Sequence, residues 1–124
     1  MTTPDKRKYL RVPLMVKVKV SDIGRIKTYK FKAINVSTKG MFVLTLRKFE
    51  QGTPVKVNFT LPDDATEFEI EGKIVWSRGW LAARREGLEA GIGIEFVEEN
   101  FTHKDILEDY IEESWLKSIG GFSE

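Results

Sequence analysis

Apolar and polar residues alternate with a period of two through most of the first 97 residues, in segments separated by turn-forming residues. Such alternation is typical of β-strands that bury one face and expose the other. It predicts six strands, at residues 14–20, 28–36, 41–46, 55–61, 67–77 and 90–97. Short strands at regular spacing, with turns between them, predict a mainly β protein built as a small six-stranded antiparallel barrel.

Two parts of the chain depart from simple alternation. Gly72 interrupts the longest predicted strand, which indicates a bulge or a sharp bend at that position. Residues 78–89 are polar and basic, and their pattern is weakly helical at best. We expect Arg78, Arg84 and Arg85 to form a patch of cations on this segment, of the kind that solvated loops commonly carry.

After residue 101 the pattern changes to a helical period. Thr102-His-Lys-Asp105 resembles a capping box, and Gly120-Gly121 is a typical helix end. Apolar residues between these signals recur at positions 106, 107, 110, 111, 115 and 119. The sequence therefore predicts a C-terminal α-helix. Its apolar face either covers an end of the barrel or binds a partner, and covering the barrel is the simpler use.

Composition restricts the location and the partners of the protein. The 124 residues are enough for one domain with its own core, and none of them is cysteine, which fits the reducing cytoplasm. No apolar run reaches the roughly 20 residues of a membrane-spanning helix, and the first residues do not resemble a signal peptide. We therefore expect a cytoplasmic protein without membrane insertion.

Charge is balanced overall but unevenly distributed. Twenty Lys and Arg face 19 Asp and Glu, while residues 6–11 are basic and residues 95–113 are acidic. A basic arm on a nearly neutral body favours a compact anionic ligand over a nucleic acid polymer. The alternative is a solvated tail whose lysines and arginines have no ligand.

The sequence offers few of the residues on which catalytic sites are commonly built. His103 is the only histidine, and without cysteines or a second histidine no zinc-type site can form. Ser37 has no histidine base near it in sequence. We therefore expect neither an enzyme nor a bound metal or cofactor.

Two short motifs carry chemistry instead. Arg7 and Arg11 form R-x-x-x-R, and the planar fork of arginine can donate paired hydrogen bonds to a phosphate or to O6 and N7 of guanine. Asn35, Ser37 and Gly40 form N-x-S-x-x-G, in which an amide and a hydroxyl one pleat apart share a strand face. Each motif alone has an ordinary alternative: exposed arginines in an N-terminal tail, and the residues of a tight turn.

Together, and in this order, the two motifs resemble the PilZ domain, a bacterial family of receptors for the second messenger cyclic di-GMP. The resemblance extends from Arg7 to about Val97, and the family often carries a helix afterwards. It implies a basic ligand-binding arm at residues 1–13, a PilZ β-barrel at 14–98, and a C-terminal helix and tail at 99–124. It also implies that the two motifs supply the ligand-binding residues Arg7, Arg11, Asn35, Ser37 and Gly40.

Three further residues are weaker candidates for ligand contact. Members of the family resemble this chain in having an aromatic residue where Trp76 stands, which can meet a guanine base; a core position is the alternative. Glycines of the last strand let the ligand lie close in this family, and we extend this to Gly93. Gly91 and Gly93 do not lie in a strand-to-helix phosphate loop. Lys6 stands where many members carry another arginine, and it could reach a phosphate.

The resemblance implies a function without catalysis. We expect a cyclic di-GMP receptor that relays the level of the messenger to an unidentified protein effector in trans. The alternative is a PilZ-like adaptor that binds protein independently of nucleotide, although such members usually lack the arginine pair. A nucleic-acid-binding barrel would carry interleaved basic and aromatic residues and a net basic charge, which this chain does not.

Overall fold

A computed structural model describes residues 10–24, 26–62 and 65–120, with side chains up to residue 117. Within these residues six strands and two helices follow one another along the chain. The elements are β1 (Val12–Asp22), β2 (Lys27–Ser37), β3 (Gly40–Leu44), β4 (Pro54–Thr60), β5 (Glu67–Arg78), α1 (Trp80–Glu86), β6 (Gly91–Phe96) and α2 (Lys104–Gly120). The predicted order of six strands and a C-terminal helix is confirmed.

The strands form a closed antiparallel barrel in the order β1-β2-β3-β6-β5-β4. Closure is made by β1 and β4, which pair over only four positions, from Lys19–Asn58 to Asp22–Val55. The alternating residues of each strand separate into an inner and an outer set. The inner set fills the barrel with buried aliphatic and aromatic side chains, which include Leu14, Met41, Phe68, Ile70, Ile74, Ile92 and Ile94.

Helix α2 covers one end of the barrel. Leu107 and Ile111 are fully buried and belong to the same hydrophobic core as the inner strand residues. Of the two roles that the sequence left open for the apolar face of this helix, the structure shows the first. The helix begins at Lys104, and His103 before it has a φ of 68°, so the proposed capping box at Thr102 is displaced from the helix start.

Two register shifts in the barrel turn particular residues outward. The ladder between β2 and β3 shifts between Ala33 and Asn35, and the ladder between β5 and β6 shifts between Ile74 and Trp76. Because side chains alternate along a strand, one extra residue sends the following side chain to the opposite face. Both Asn35 and Trp76 therefore point away from the core.

The expected irregularity at Gly72 lies elsewhere. Gly72 pairs in regular register with Val55 on one side and Phe96 on the other, and the bulge on β5 occurs after Ile74. The glycine instead permits a close approach, since a Cβ there would lie 2.6 Å from the carbonyl oxygen of Glu95. The irregularity of β5 therefore lies after Ile74, and not at Gly72 as the sequence suggested.

The segment at 78–89 contains a short α-helix, although its sequence pattern is only weakly helical. Helix α1 runs from Trp80 to Glu86, with only Ala83 buried, and ends at Gly87 in the left-handed conformation. Its polar surface faces outward, which explains why hydrophobic periodicity did not reveal it. Within the described ranges, no helix is both long and apolar enough to cross a membrane.

Candidate functional site

Four neighbouring strands place one row of residues across the outer surface of the barrel. Asn35 of β2 pairs with Phe42 of β3, Phe42 pairs with Gly93 of β6, and Gly93 pairs with Trp76 of β5. The neighbouring row, Val36, Met41, Ile94 and Ile74, points into the core. The two bulges bring Asn35 and Trp76 into the outer row, so the site depends on both.

The indole of Trp76 lies flat against this surface. It stacks on Phe42 with ring centroids 5.1 Å apart and an interplanar angle of 22°, and it remains 37% exposed. Gly93 lies under the indole, because a Cβ at this position would be 2.9 Å from Cδ1 of Trp76 and closer still to Nε1 and Cε2. The space that the sequence assigned to a close ligand at Gly93 is therefore taken by Trp76, and Trp76 itself is not a core residue.

Arg78 lies beside both rings of this stack, whereas the sequence had suggested that it belongs to a solvated loop patch. Its guanidinium carbon lies 4.9 Å from the Trp76 ring centroid and 5.9 Å from that of Phe42. Its Nη1 donates a hydrogen bond of 3.0 Å to the carbonyl oxygen of Glu89. This bond joins the end of β5 to the segment before β6, and holds a cation beside two aromatic rings.

On the other side of the site, Arg11 and Asn35 are joined. Nη1 of Arg11 donates a 2.8 Å hydrogen bond to Oδ1 of Asn35, across 24 residues of sequence. The arginine is exposed, and its remaining donors stay available to an anion. The two predicted motifs therefore meet through one residue of each.

An open cavity of about 460 Å³ lies between the Arg11–Asn35 pair and the aromatic stack. Its volume falls within the range of small-molecule sites, which is about 300–1,000 Å³. Apolar surface and two arginines border the same space. The lining residues are Arg11, Ile34, Asn35, Met41, Phe42, Trp76, Arg78, Leu88, Glu89 and Gly93.

Ser37 and Gly40 do not line this cavity. Ser37 is buried, and its Oγ accepts a hydrogen bond from the Lys39 backbone N–H at 3.1 Å and donates to the Gly40 carbonyl at 3.5 Å. Gly40 packs against the backbone of Ile94, with no room for a Cβ. Their described contacts hold the turn between β2 and β3, two residues beyond Asn35.

Some of the residues that line the cavity were predicted from the sequence, and others were not. Arg7 and Lys6, two predicted ligand contacts, lie outside the described residues. Phe42, Leu88 and Glu89 line the cavity without having been predicted. Phe42 stands in a mostly apolar strand, in which an outward-facing residue cannot be distinguished from a core residue by sequence. The spacing of two between Trp76 and Arg78, by contrast, was a usable signal that both side chains lie on the same face of β5.

Metal chemistry finds no site in the part of the chain that the structure describes. No group of three or more His, Asp or Glu side chains there could hold a metal ion.

Comparison with solved structures shows the same fold in proteins of low sequence identity. The inhibitor of motility MotI/DgrA of Bacillus subtilis aligns over 94% of this chain and 57% of its own, with a TM-score of 0.72 and 16% identity. YcgR of Escherichia coli, in complex with c-di-GMP, aligns over 90% of this chain and 46% of its own, with a TM-score of 0.67 and 12% identity. The chain thus spans about half the length of these two proteins.

A single domain gives a match of more equal length. The PilZ domain of Escherichia coli YcgR with c-di-GMP aligns over 91% of this chain and 95% of its own, with a TM-score of 0.60 and 12% identity. No curated protein sequence matches the chain.

The family assignment comes from the sequence profile of the PilZ domain, which matches residues 5–113. These residues include both motifs, the whole barrel and most of α2. PilZ domains are receptor or adaptor domains and are generally not enzymes. The chain belongs to the PilZ domain family.

Proposed function

We propose that this chain binds cyclic di-GMP in the cavity between Arg11 and Trp76, and relays the occupied state to a protein partner. The observation that carries the proposal is the contact between the two motifs. Arg11 donates a hydrogen bond to Asn35 at one edge of a cavity, and the exposed indole of Trp76 borders the opposite edge. The structures of YcgR and of its PilZ domain with c-di-GMP, which share this fold, support the choice of ligand.

The chemistry of the cavity suits a guanine nucleotide. Arg11 can turn its free donors to a phosphate or to O6 and N7 of guanine, and Asn35 orients the guanidinium. The exposed part of the Trp76 indole, with Arg78 beside it, offers a surface on which a base can lie, and such stacking contributes about 1–3 kcal/mol per base. Arg7 and Lys6, which lie outside the described residues, are proposed to contact the ligand as well.

Ser37 and Gly40 are proposed to act mainly by positioning. Their contacts tie down the turn that follows Asn35, so that the amide of Asn35 is held where Arg11 reaches it. Gly93 is proposed to act in the same indirect way, through the indole of Trp76. Substitution of these three residues should then weaken binding by displacing Asn35 or Trp76.

Exposed apolar residues beside the cavity support the relay. Trp80 and Leu81 of α1 are 48% and 58% exposed, and Leu88, which lines the cavity, is 49% exposed. A ligand that contacts Arg78 and Leu88 can change the surface that this segment offers to a protein. Only such a difference between bound and free states can shift a partner equilibrium.

Isothermal titration with cyclic di-GMP tests the proposal directly. The wild type should bind saturably, and Arg11→Ala should bind at least about tenfold more weakly, since a hydrogen bond to a charged group contributes about 1.5–3 kcal/mol. Arg85→Ala is the matched control, because Arg85 is exposed on α1 and does not line the cavity. Equal losses in the two variants would show only a general effect of charge.

Absence of heat with the folded wild type would contradict nucleotide binding and favour the nucleotide-independent adaptor. The relay needs a second measurement, hydrogen exchange with and without the ligand. We expect slower exchange at the amides of residues 1–13 and 78–89 in the presence of ligand. Binding without any such change would contradict the proposed switch while leaving the receptor intact.

A further inference from the structure

The outer surface of β1 and β2 carries four lysines in an arrangement that the rest of the barrel avoids. Lys17 stands directly opposite Lys32, and Lys19 directly opposite Lys30, all four exposed. Like charges directly opposite one another on a sheet are destabilising. These four residues, the lysine face, therefore oppose folding slightly where they stand.

Elsewhere the same barrel pairs its lysines with acids. On β4 and β5, Lys56 meets Glu69 at 3.0 Å, and on β5 and β6, Lys73 meets Glu95 at 3.8 Å. Among the described residues no member of the lysine face has such an ion pair. The lysine face thus lacks the ion pairs that the chain makes on other strands, although Glu67 borders the same cavity as Lys17, Lys19 and Lys30. The contrast indicates that these lysines can take carboxylate partners from outside their own barrel.

A complementary surface lies on α2. This helix carries five carboxylates against two lysines, and Asp109 and Glu113 are exposed one turn apart. Residues one helical turn apart have Cβ atoms about 6 Å from each other. Lysines on the lysine face are separated by roughly 5 Å across the strands and about 7 Å along them. The two arrays therefore match in spacing as well as in sign.

We propose that the lysine face of one molecule binds the acidic face of α2 in a second copy of this chain. Helix α2 contacts β1 and β2 of its own barrel, so the elements that carry the two faces are neighbours within one molecule. A two-fold axis between two copies then lets both contacts form at once, which closes the assembly as a dimer. This self-association is a property separate from ligand binding.

Each charged face has an exposed apolar residue beside it. Met15, next to Lys17 along the outer surface of β1, is 58% exposed, and Leu116, one turn beyond Glu113 on α2, is 52% exposed. The two could contact each other in the dimer and add apolar burial to the ion pairs. A stacking interaction with single-stranded nucleic acid is disfavoured at this face, because Tyr29 and Phe31 share the register of the inward-facing Val20 and Val18.

Sedimentation equilibrium of the full chain measures the association. Exposed ion pairs are individually weak, so we expect a dimer with a dissociation constant of about 0.1–1 mM at low salt. Raising the salt from about 20 mM to about 500 mM should weaken the dimer at least tenfold, because the screening length falls severalfold. A monomer at every concentration and salt would overturn the proposal.

A first variant separates association from folding. Replacing one lysine of each opposed pair, as in Lys17→Glu with Lys30→Glu, creates cross-strand pairs of opposite charge and should not weaken the fold. It should nevertheless abolish the dimer. Lys39→Glu with Lys48→Glu is the matched control, because it changes the net charge equally at exposed positions outside both faces. Equal dimerisation of the two variants would overturn the proposal.

A charge swap identifies the occupant. One variant reverses the charge of the lysine face by changing its lysines to glutamate. Another variant reverses the charge of the acidic face of α2 through Glu108→Lys, Asp109→Lys and Glu113→Lys. Each should be monomeric alone, whereas an equimolar mixture should dimerise, because both contacts are again complementary. A mixture that stays monomeric would show that the lysine face does not bind α2, which would leave an acidic protein, a nucleic acid or an anionic membrane as its remaining candidate partners. That result would overturn the proposal.

Discussion

Gly93→Ala should displace the indole of Trp76 from the barrel surface. The added Cβ would lie 2.9 Å from Cδ1 of Trp76 and closer still to Nε1 and Cε2, distances that a real Cβ does not tolerate. Backbone pairing to Phe42 and Trp76 keeps residue 93 in place, while the indole is more than one third exposed and can swing toward solvent. The ring is therefore the part that moves.

The displaced indole loses two contacts of known strength. The stack on Phe42 contributes about 0.5–1.5 kcal/mol, and the cation–π contact with Arg78 about 0.5–1 kcal/mol at an exposed site. Together they predict a loss of about 1–2.5 kcal/mol in the free energy of unfolding. Alanine returns roughly 0.5–1 kcal/mol, because it loses less backbone entropy than glycine in a strand. The net loss should be about 0–2 kcal/mol.

A double-mutant cycle with Trp76→Ala isolates the effect. In the Trp76→Ala background there is no indole to displace, so Gly93→Ala should be neutral or stabilising by up to about 1 kcal/mol. The coupling between the two positions should thus be about 1–2.5 kcal/mol, measured by urea unfolding of the four proteins. The side-chain N–H resonance of Trp76 should shift strongly in Gly93→Ala, while those of Trp80 and Trp115 stay unchanged.

Two outcomes would refute this account of Gly93. One is an equal cost of Gly93→Ala in both backgrounds, which would place the strain in the backbone. The other is an unchanged Trp76 resonance. If the indole also provides the base-stacking surface, cyclic di-GMP should bind Gly93→Ala about 5- to 150-fold more weakly, equivalent to about 1–3 kcal/mol. The expected coupling together with intact binding would remove Trp76 from the ligand site, because the indole would then be displaced without affecting the ligand.

Three other changes give distinct results. Phe42→Leu should keep the fold but weaken cyclic di-GMP binding severalfold by titration, because the indole loses its stacking partner; binding equal to wild type would contradict a role of the Phe42–Trp76 stack in the site. Lys30→Glu should raise the free energy of unfolding in urea by about 0.2–1 kcal/mol through a new pair with Lys19, and no gain at low salt would contradict the like-charge repulsion. Glu69→Gln removes the ion-pair partner of Lys56. Lys56 lowers the pKa of the Glu69 carboxyl, mainly by their hydrogen bond. The pair therefore stabilises the fold above the ordinary pKa of glutamate, and this contribution is lost as the pH falls through the lowered value. The same bond raises the pKa of Lys56, so the contribution also fades in strong alkali, and a wild-type-minus-variant stability difference that persists in acid would contradict the pair.

Much of the fold was predictable from the chain because strand patterns are local. Alternation of apolar residues identified six strands and the helical period identified α2, and both are present. Helix α1 escaped because only Ala83 of its seven residues is buried, so it leaves almost no hydrophobic signal. Strand boundaries moved by one or two residues in both directions, because backbone pairing rather than the side-chain pattern decides where a strand begins and ends.

The candidate site was predictable only in part. Arg11 and Asn35 were chosen from their motifs, and the structure joins them with a hydrogen bond. Phe42 could not be chosen, since its outward direction depends on its pairing with Asn35 and Gly93. Arg78 was assigned to a solvated patch because its aromatic partners come from a different strand and from a bulge.

By itself, the sequence determined the six strands, the C-terminal helix, their order and the two motifs that resemble the PilZ family. Periodicity, turn residues and motif spacing are properties of neighbouring residues, so they can be recognised before the chain folds. The tertiary structure alone decided which faces meet. A bulge of one residue reverses the direction of every side chain that follows, and where it forms depends on the partner strand. The outward placement of Trp76 is therefore a consequence of how β5 pairs with β6.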